Sequence, residues 1–226
     1  MSEVAEVDPL RPDRAEAAIM AAARAVGGGK LVVVPTETVY GIGCRPDDAA
    51  ATARLFEAKG RSRGLNLAVL AAAPGEALAL TESAPHAASL AAALWPGPLT
   101  MVLPRSARAR AWSLGEDEDT IGVRVPDLPL PRALFARTGP LAVSSANRSG
   151  ASPARTRGEL LAAFGDAVAV YLVTPEPLVG ADPSTVVDLT DPSRIRLVRA
   201  GPFTRERMAV ALGTSVPEPE WVDFPP

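Results

Sequence analysis

The chain has 226 residues, of which 47% are hydrophobic and 22% charged, the balance of an ordinary globular protein rather than a disordered one. A net charge of −3 gives no global attraction for nucleic acid, one cysteine excludes an internal disulfide and argues against a cysteine-built zinc site, and one histidine leaves Ser-His-Asp catalysis poorly supported. No run reaches the roughly 18 apolar residues of a membrane span, and the acidic start "MSEVAEVDPLRPDRAEAA" is unlike a secretory signal, so a cytoplasmic protein without membrane contact is expected.

Residues 1–12 read as a terminal extension, expected to be flexible. The Ala-rich stretch 13–26 predicts a helix stopped by Gly27-Gly28-Gly29. Residues 31–34 ("LVVV") predict a strand, and 47–58 a helix with Asp at its N-terminal end. A strand over 67–72 and a helix over 84–94 follow, the latter opening near His86, which reads as a surface or capping residue. Strands are predicted at 99–103, 120–126 and 141–147, with a short helix over 129–137. Helix 156–164, strand 168–173, the neighbouring strands 184–189 and 194–199, and helix 204–212 complete the expected domain, 13–212. The Pro-rich tail 213–226 is the second expected flexible extension. Interspersed strands and helices indicate one α/β domain, and "LVVV" and "TVVDL" read as strands buried on both faces.

Four apolar runs end in or begin from polar clusters: "VVVPTET", "TIGVRVP", "LAVSSAN" and "PSTVVDL". Ligands of open α/β sheets bind where several strand ends converge, although Ser and Thr beside a strand also cap helices and form turns. Within "VVVPTET", Glu37 reads equally as a group placing Mg2+ or water and as a solvated or paired carboxylate. The most charged element, "EAKGRSRG" (57–64), complements a helix C-terminus and also reads as a mobile basic loop able to close over a triphosphate. Arg61 and Arg63, with Arg105, Arg108 and Arg110, leave room for a local basic face. Nothing matches a P-loop, and "SSANRSG" lacks the glycine frame of a nucleophile elbow. Cys44 reads as a small buried hydrophobe.

Taken in order, "PTETVYGIG" (35–43), "KGR" (59–61), "WPGPLTMVL" (95–103), "IGVRVP" (121–126), "SSANRSG" (144–150), "STVVDL" (184–189) and "LVRAGP" (197–202) resemble the YrdC/Sua5 family over about residues 15–210. The resemblance implies a twisted mixed β-sheet flanked by helices, with a concave ligand-binding surface. It implies L-threonylcarbamoyladenylate synthase activity: L-threonine, bicarbonate or CO2, and ATP with Mg2+ become threonylcarbamoyl-AMP and pyrophosphate. The product would pass to a tRNA-modifying transferase complex for t6A at adenosine 37 of tRNAs reading ANN codons. By the same resemblance, Lys59 and Arg61 are catalytic and bind the ATP phosphates, while Thr120, Ser145, Asn147 and Arg199 bind the nucleotide. Thr36, Arg124 and Ser184 hold threonine, with Arg124 suited to its carboxylate.

The chain departs from the family where relatives continue as "KGRPxxxPLxxH". Leu65 and Asn66 stand at an Asn-Pro pair whose asparagine helps bind nucleotide, and Leu70 stands at a histidine that contacts threonine. A one-residue shift would let Asn66 take over the nucleotide contact. Two other functions are compatible with the residues: a carbamoyl-adenylating domain of the carbamoyltransferase type, and a non-catalytic module that binds tRNA or other RNA.

Overall fold

The computed structural model describes residues 2–82, 84–178, 182–213 and 220–223. Its eleven strands are β1 Glu3–Glu6, β2 Leu31–Val34, β3 Gly41–Cys44, β4 Ala68–Leu70, β5 Leu99–Pro104, β6 Thr120–Arg124, β7 Leu141–Ser145, β8 Val168–Val173, β9 Thr185–Asp188, β10 Arg194–Arg199 and β11 Glu220–Asp223. Its helices are α1 Glu16–Gly27, α2 Ala49–Lys59, α3 Pro74–Leu78, α4 Ala87–Leu94, α5 Ala107–Arg110, α6 Pro129–Thr138, α7 Arg157–Phe164 and α8 Arg205–Leu212. The strands form one mixed sheet in the order β1-β8-β2-β3-β7-β4-β6-β5-β9-β10-β11.

Side chains alternate across a strand, so the unbroken apolar run of β2 feeds two cores at once. Leu31 and Val33 join Ile42, Leu55, Val69, Leu90 and Met208 on one face. Val32 and Val34 join Ile19, Val26, Leu134, Phe135 and Val143 beneath α1 and α6 on the other. The expected burial of this strand on both faces is observed. Asp48 caps α2, accepting from the amides of Ala50 and Ala51 at 2.9 and 3.0 Å, and Thr156 with Glu159 forms a capping box on α7.

Three features differ from the sequence expectation. Residues 3–6 are not a loose extension: they pair in parallel with β8 from Glu3↔Val170 to Glu6↔Val173. At the other end β11 pairs in parallel with β10, while residues 214–219 and 224–226 of the expected flexible tail lie outside the described residues. Gly41–Cys44 is a central strand between β2 and β7. A side-chain carbon on Gly41 would stand 2.7 Å from a methyl of Val143, so glycine there admits a close approach of two strands rather than marking a turn.

Candidate active site

Helices α1 and α6 cover the part of their face built from β2, β7 and β8. Farther along the sheet, the residues pointing to that side line an open cleft of about 560 Å3. Alternation fixes which ones they are. Strand β6 offers Thr120, Gly122 and Arg124 to the cleft while Ile121 and Val123 enter the core. In the same way β4 offers Ala68 and Leu70, β5 Thr100 and Val102, β9 Val186 and Asp188, and β10 Arg196 and Val198.

At one end of the cleft Arg124 is held from three directions. Its Nε donates to the carbonyl of Gly97 at 3.2 Å, Nη1 to the Thr38 hydroxyl at 3.0 Å, and Nη2 to Oε1 of Glu37 at 2.7 Å. A guanidinium has five N–H groups, so one on each terminal nitrogen remains for a ligand. The Thr36 hydroxyl is engaged locally: it donates to the Val39 carbonyl at 2.6 Å and lies 2.9 Å from the Thr38 hydroxyl. Across the cleft, Arg199 donates to the Ser184 carbonyl and hydroxyl at 2.9 and 3.0 Å, and the Ser184 hydroxyl lies 2.8 Å from that of Thr100. Burial, and then the charge of Arg124, hold the Arg199 guanidinium below its usual range. Arg124 and Arg199 thus bring two guanidiniums to the cleft, the first already paired with Glu37.

The other end is built around the helix end of α2. Gly60 adopts φ +58 and closes a Schellman turn, its amide donating to Glu57 and that of Arg61 to Phe56. This reversal separates the two flanking cations. Arg61 enters the cleft, donating from Nη1 to the Ser144 hydroxyl at 2.9 Å and from Nη2 to the carbonyls of Leu65 and Asn66 at 3.0 and 3.3 Å. Lys59 turns inward: its Nζ donates to the carbonyl of Ser145 and, at 2.7 Å, to that of Asn147. Burial, and then Arg61, push its ammonium down to about 8. The Ser145 hydroxyl donates to Oδ1 of Asn147, whose Nδ2 donates to the carbonyls of Arg148 and Ala151. Thr120 donates its hydroxyl to Asp117, which also accepts the Thr120 amide at 3.1 Å.

Of the nine residues singled out in the sequence, Thr36, Arg61, Thr120, Arg124, Ser145, Ser184 and Arg199 line one cleft, while Lys59 and Asn147 do not. Asp117, Asp188, Thr38 and Thr100 also line it and were missed. The alternation Thr120-Ile121-Gly122-Val123-Arg124 carried the signal for the face, but Asp117 sits in an excursion whose path the sequence leaves open. Glu37 pairs with Arg124 rather than meeting solvent, and its Oε2 is buried without a hydrogen-bond partner.

The 61–67 loop is not free: the Glu116 amide donates to Arg63, the Leu67 amide to Leu114, and Asn66 Nδ2 to Asp117 and Thr120 carbonyls. The amide of Asn66 therefore braces the loop, and its Oδ1 is buried without a partner. Of the two arginine clusters, Arg105 leaves the surface while Arg63, Arg108 and Arg110 stay exposed. Arg105 is entirely buried, Arg110 pairs with Glu82 at 2.7 Å, and Arg108 lies over Trp112. His86 is buried too, with no capping hydrogen bond, and burial pushes the Cys44 thiol up to about 12.

The fold and cleft define an open mixed-sheet α/β protein with three arginines, Arg61, Arg124 and Arg199, in the lining of one cleft. A family model described as Sua5/YciO/YrdC, telomere recombination, matches residues 24–201. A chain of Mycobacterium tuberculosis (strain CDC 1551 / Oshkosh) is 40% identical over 207 residues, covering 91% of this chain and 94% of that one. The Threonylcarbamoyl-AMP synthase of Chromohalobacter salexigens is 40% identical over 185 residues, 77% of this chain and 94% of its own. Among solved structures, H234A/Y235A Sua5 of P. abyssi superposes with TM-score 0.85 at 32% identity, over 98% of this chain and 62% of that one. The present chain therefore spans about 62% of the length of that Sua5. P. abyssi Sua5 complexed with L-threonine superposes with TM-score 0.77 at 30% identity. The chain belongs to the Sua5/YciO/YrdC family.

Proposed function

We propose that this protein is an L-threonylcarbamoyladenylate synthase that joins L-threonine, bicarbonate or CO2, and ATP into threonylcarbamoyl-AMP and pyrophosphate. The observation that carries the reading is the convergence of Arg61, Arg124 and Arg199 on one cleft, in a chain 40% identical to a relative bearing that name. The threonine amine loses a proton and attacks CO2, and a carbamate oxygen then attacks the α-phosphorus, displacing pyrophosphate. No protein nucleophile is needed, and the chemistry relies on positioning and on cations fixed before charge develops.

Arg124, with one free N–H on each terminal nitrogen, suits the substrate carboxylate, beside Thr36 and Ser184. Arg61, Arg199, Thr120 and Ser145 are the nucleotide-facing groups, with Asn147 supporting Ser145. Mg2+ belongs with the triphosphate in this scheme. Among the described residues no group of three or more His, Cys, Asp or Glu side chains could hold a metal ion, so the ion would be carried by the phosphates and neutralise charge there. The product would feed t6A formation on tRNA through a separate transferase complex.

The test is incubation with ATP, bicarbonate and L-threonine, reading threonylcarbamoyl-AMP and pyrophosphate by mass spectrometry, with carbamoyl phosphate replacing threonine and bicarbonate in a parallel arm. Threonine-dependent product supports the reading. Adenylate formed only from carbamoyl phosphate transfers the function to the carbamoyl-adenylating class, and no product in either arm rejects both.

A further inference from the structure

The Lys-x-Arg element carries two cations one residue apart, and the structure sends them to different places. Lys59 is 2% exposed and lines no part of the cleft, whereas Arg61 lines it. The backbone amide of Ser149 donates to the carbonyl of Lys59 at 2.8 Å. From the same residue, Nζ reaches back to the carbonyls of Ser145 and Asn147. One residue thus clamps the 145–149 turn through both backbone and side chain. Ser145 lies within this turn and lines the cleft, while Asn147 accepts from its hydroxyl and donates to the carbonyl of Ala151.

We propose that Lys59 is a positioning residue: it fixes the Ser145–Ala151 turn at the wall of the cleft and does not touch the phosphate chain, a task that belongs to Arg61. The proposal rests on the nucleotide-binding reading of the cleft. A buried ammonium used by two carbonyls has its donors directed at the protein. Losing them leaves two carbonyls unsatisfied and frees the turn, while the number of cations facing the ligand stays the same. The consequence differs from that of a phosphate contact. A loosened turn weakens binding of every ligand that leans on it, whatever its phosphate count. A lost phosphate contact weakens ATP far more than AMP.

The experiment uses the full chain with Lys59→Met and Arg61→Met, reading amide hydrogen exchange over residues 144–154 without ligand and the Kd of AMP and ATP. For Lys59→Met, exchange in this segment is expected to rise by about tenfold or more, with AMP and ATP affinities falling by the same factor within about twofold. Arg61→Met is expected to weaken ATP at least about tenfold more than AMP. Unchanged exchange in Lys59→Met, or a loss confined to ATP, would overturn the proposal. If Lys59→Met does not fold, Lys59→Gln, which keeps a shorter donor, is read by the same criteria. If the wild type binds nucleotide yet makes no threonylcarbamoyl-AMP, the proposed reaction falls and the role of Lys59 is still decided. If it binds no nucleotide, the nucleotide-binding reading falls and the proposal with it.

Discussion

Glu37 and Arg124, 87 residues apart, form an ion pair at 2.7 Å in which the arginine side chain is 6% exposed and the carboxylate 18%. The pair joins the turn after β2 to the cleft face of β6 and aims the remaining guanidinium N–H groups. Removing one partner of such a pair leaves a poorly solvated charge behind. Arg124→Ala is expected to lower stability by about 3 kcal/mol and to abolish amino-acid binding. Glu37→Gln keeps an acceptor for Nη2 but removes the compensating charge, and is expected to cost about 2–3 kcal/mol. It should lower the KM for the amino acid, because the substrate carboxylate no longer shares Arg124 with a second anion. Denaturant unfolding and steady-state kinetics check both variants, and a raised KM in Glu37→Gln would contradict the assignment.

Gly60 adopts φ +58, and a side-chain carbon there would meet only Nη2 of Arg148, at 3.7 Å. The cost of Gly60→Ala is therefore conformational rather than steric, about 1 kcal/mol. That corresponds to a Tm lower by about 2–4 °C in a chain of this size. The variant's kcat is expected to fall by more than the small stability loss explains, because the turn is what sends Arg61 and Lys59 in opposite directions. A Tm shift with unaltered kcat would show that the aim of Arg61 survives without this turn.

Arg105, although wholly buried, donates to the carbonyls of Trp112 at 2.9 Å and Thr120 at 2.7 Å, and also to that of Asp117. It is the internal brace of the 105–120 excursion that delivers Asp117 and Thr120 to the cleft. Arg105→Met preserves much of the apolar stem and strands several buried carbonyls, so a loss of about 3 kcal/mol or more is expected. Urea unfolding checks this as a lower midpoint with an unchanged slope.

Burial, and then the charge of Arg61, push the Lys59 ammonium from 10.5 down to about 8. Below about pH 8 both folded and unfolded chains are protonated at this site, and the folded protein bears the full desolvation penalty. Between about pH 8 and 10.5 the unfolded chain keeps a proton that the folded chain has lost, so stability at this site rises with pH. The stability of wild type minus that of Lys59→Met is expected to climb over this window, with a slope of at most about 1.4 kcal/mol per pH unit. Other groups titrating there cancel in the difference, and a flat or falling difference would refute the shift.

Much of the sheet was legible because its strands announce themselves locally. The run Leu31–Val34 could only be a strand with two dry faces, and Asp48 and Thr156 mark helix starts by their own hydrogen bonds. The edge strand Glu3–Glu6 was not legible, since its pairing partner β8 lies more than 160 residues away and its composition is that of a polar tail. Gly41–Cys44 was also hidden, because glycine is a poor strand former except where another strand must come close, here Val143.

The sequence by itself determined the residue types at the strand ends, their order, and the period-two pattern that sets Thr120, Gly122 and Arg124 on one face. Only the tertiary structure decided which of the cations face the cleft. Lys59 and Arg61 are separated by a single left-handed glycine, yet one is used by two backbone carbonyls and the other stands in the cleft. Arg105 is likewise drawn into the interior by carbonyls as many as 15 residues away. Charge is written in the sequence, whereas desolvation and hydrogen-bond partners depend on what the fold brings alongside.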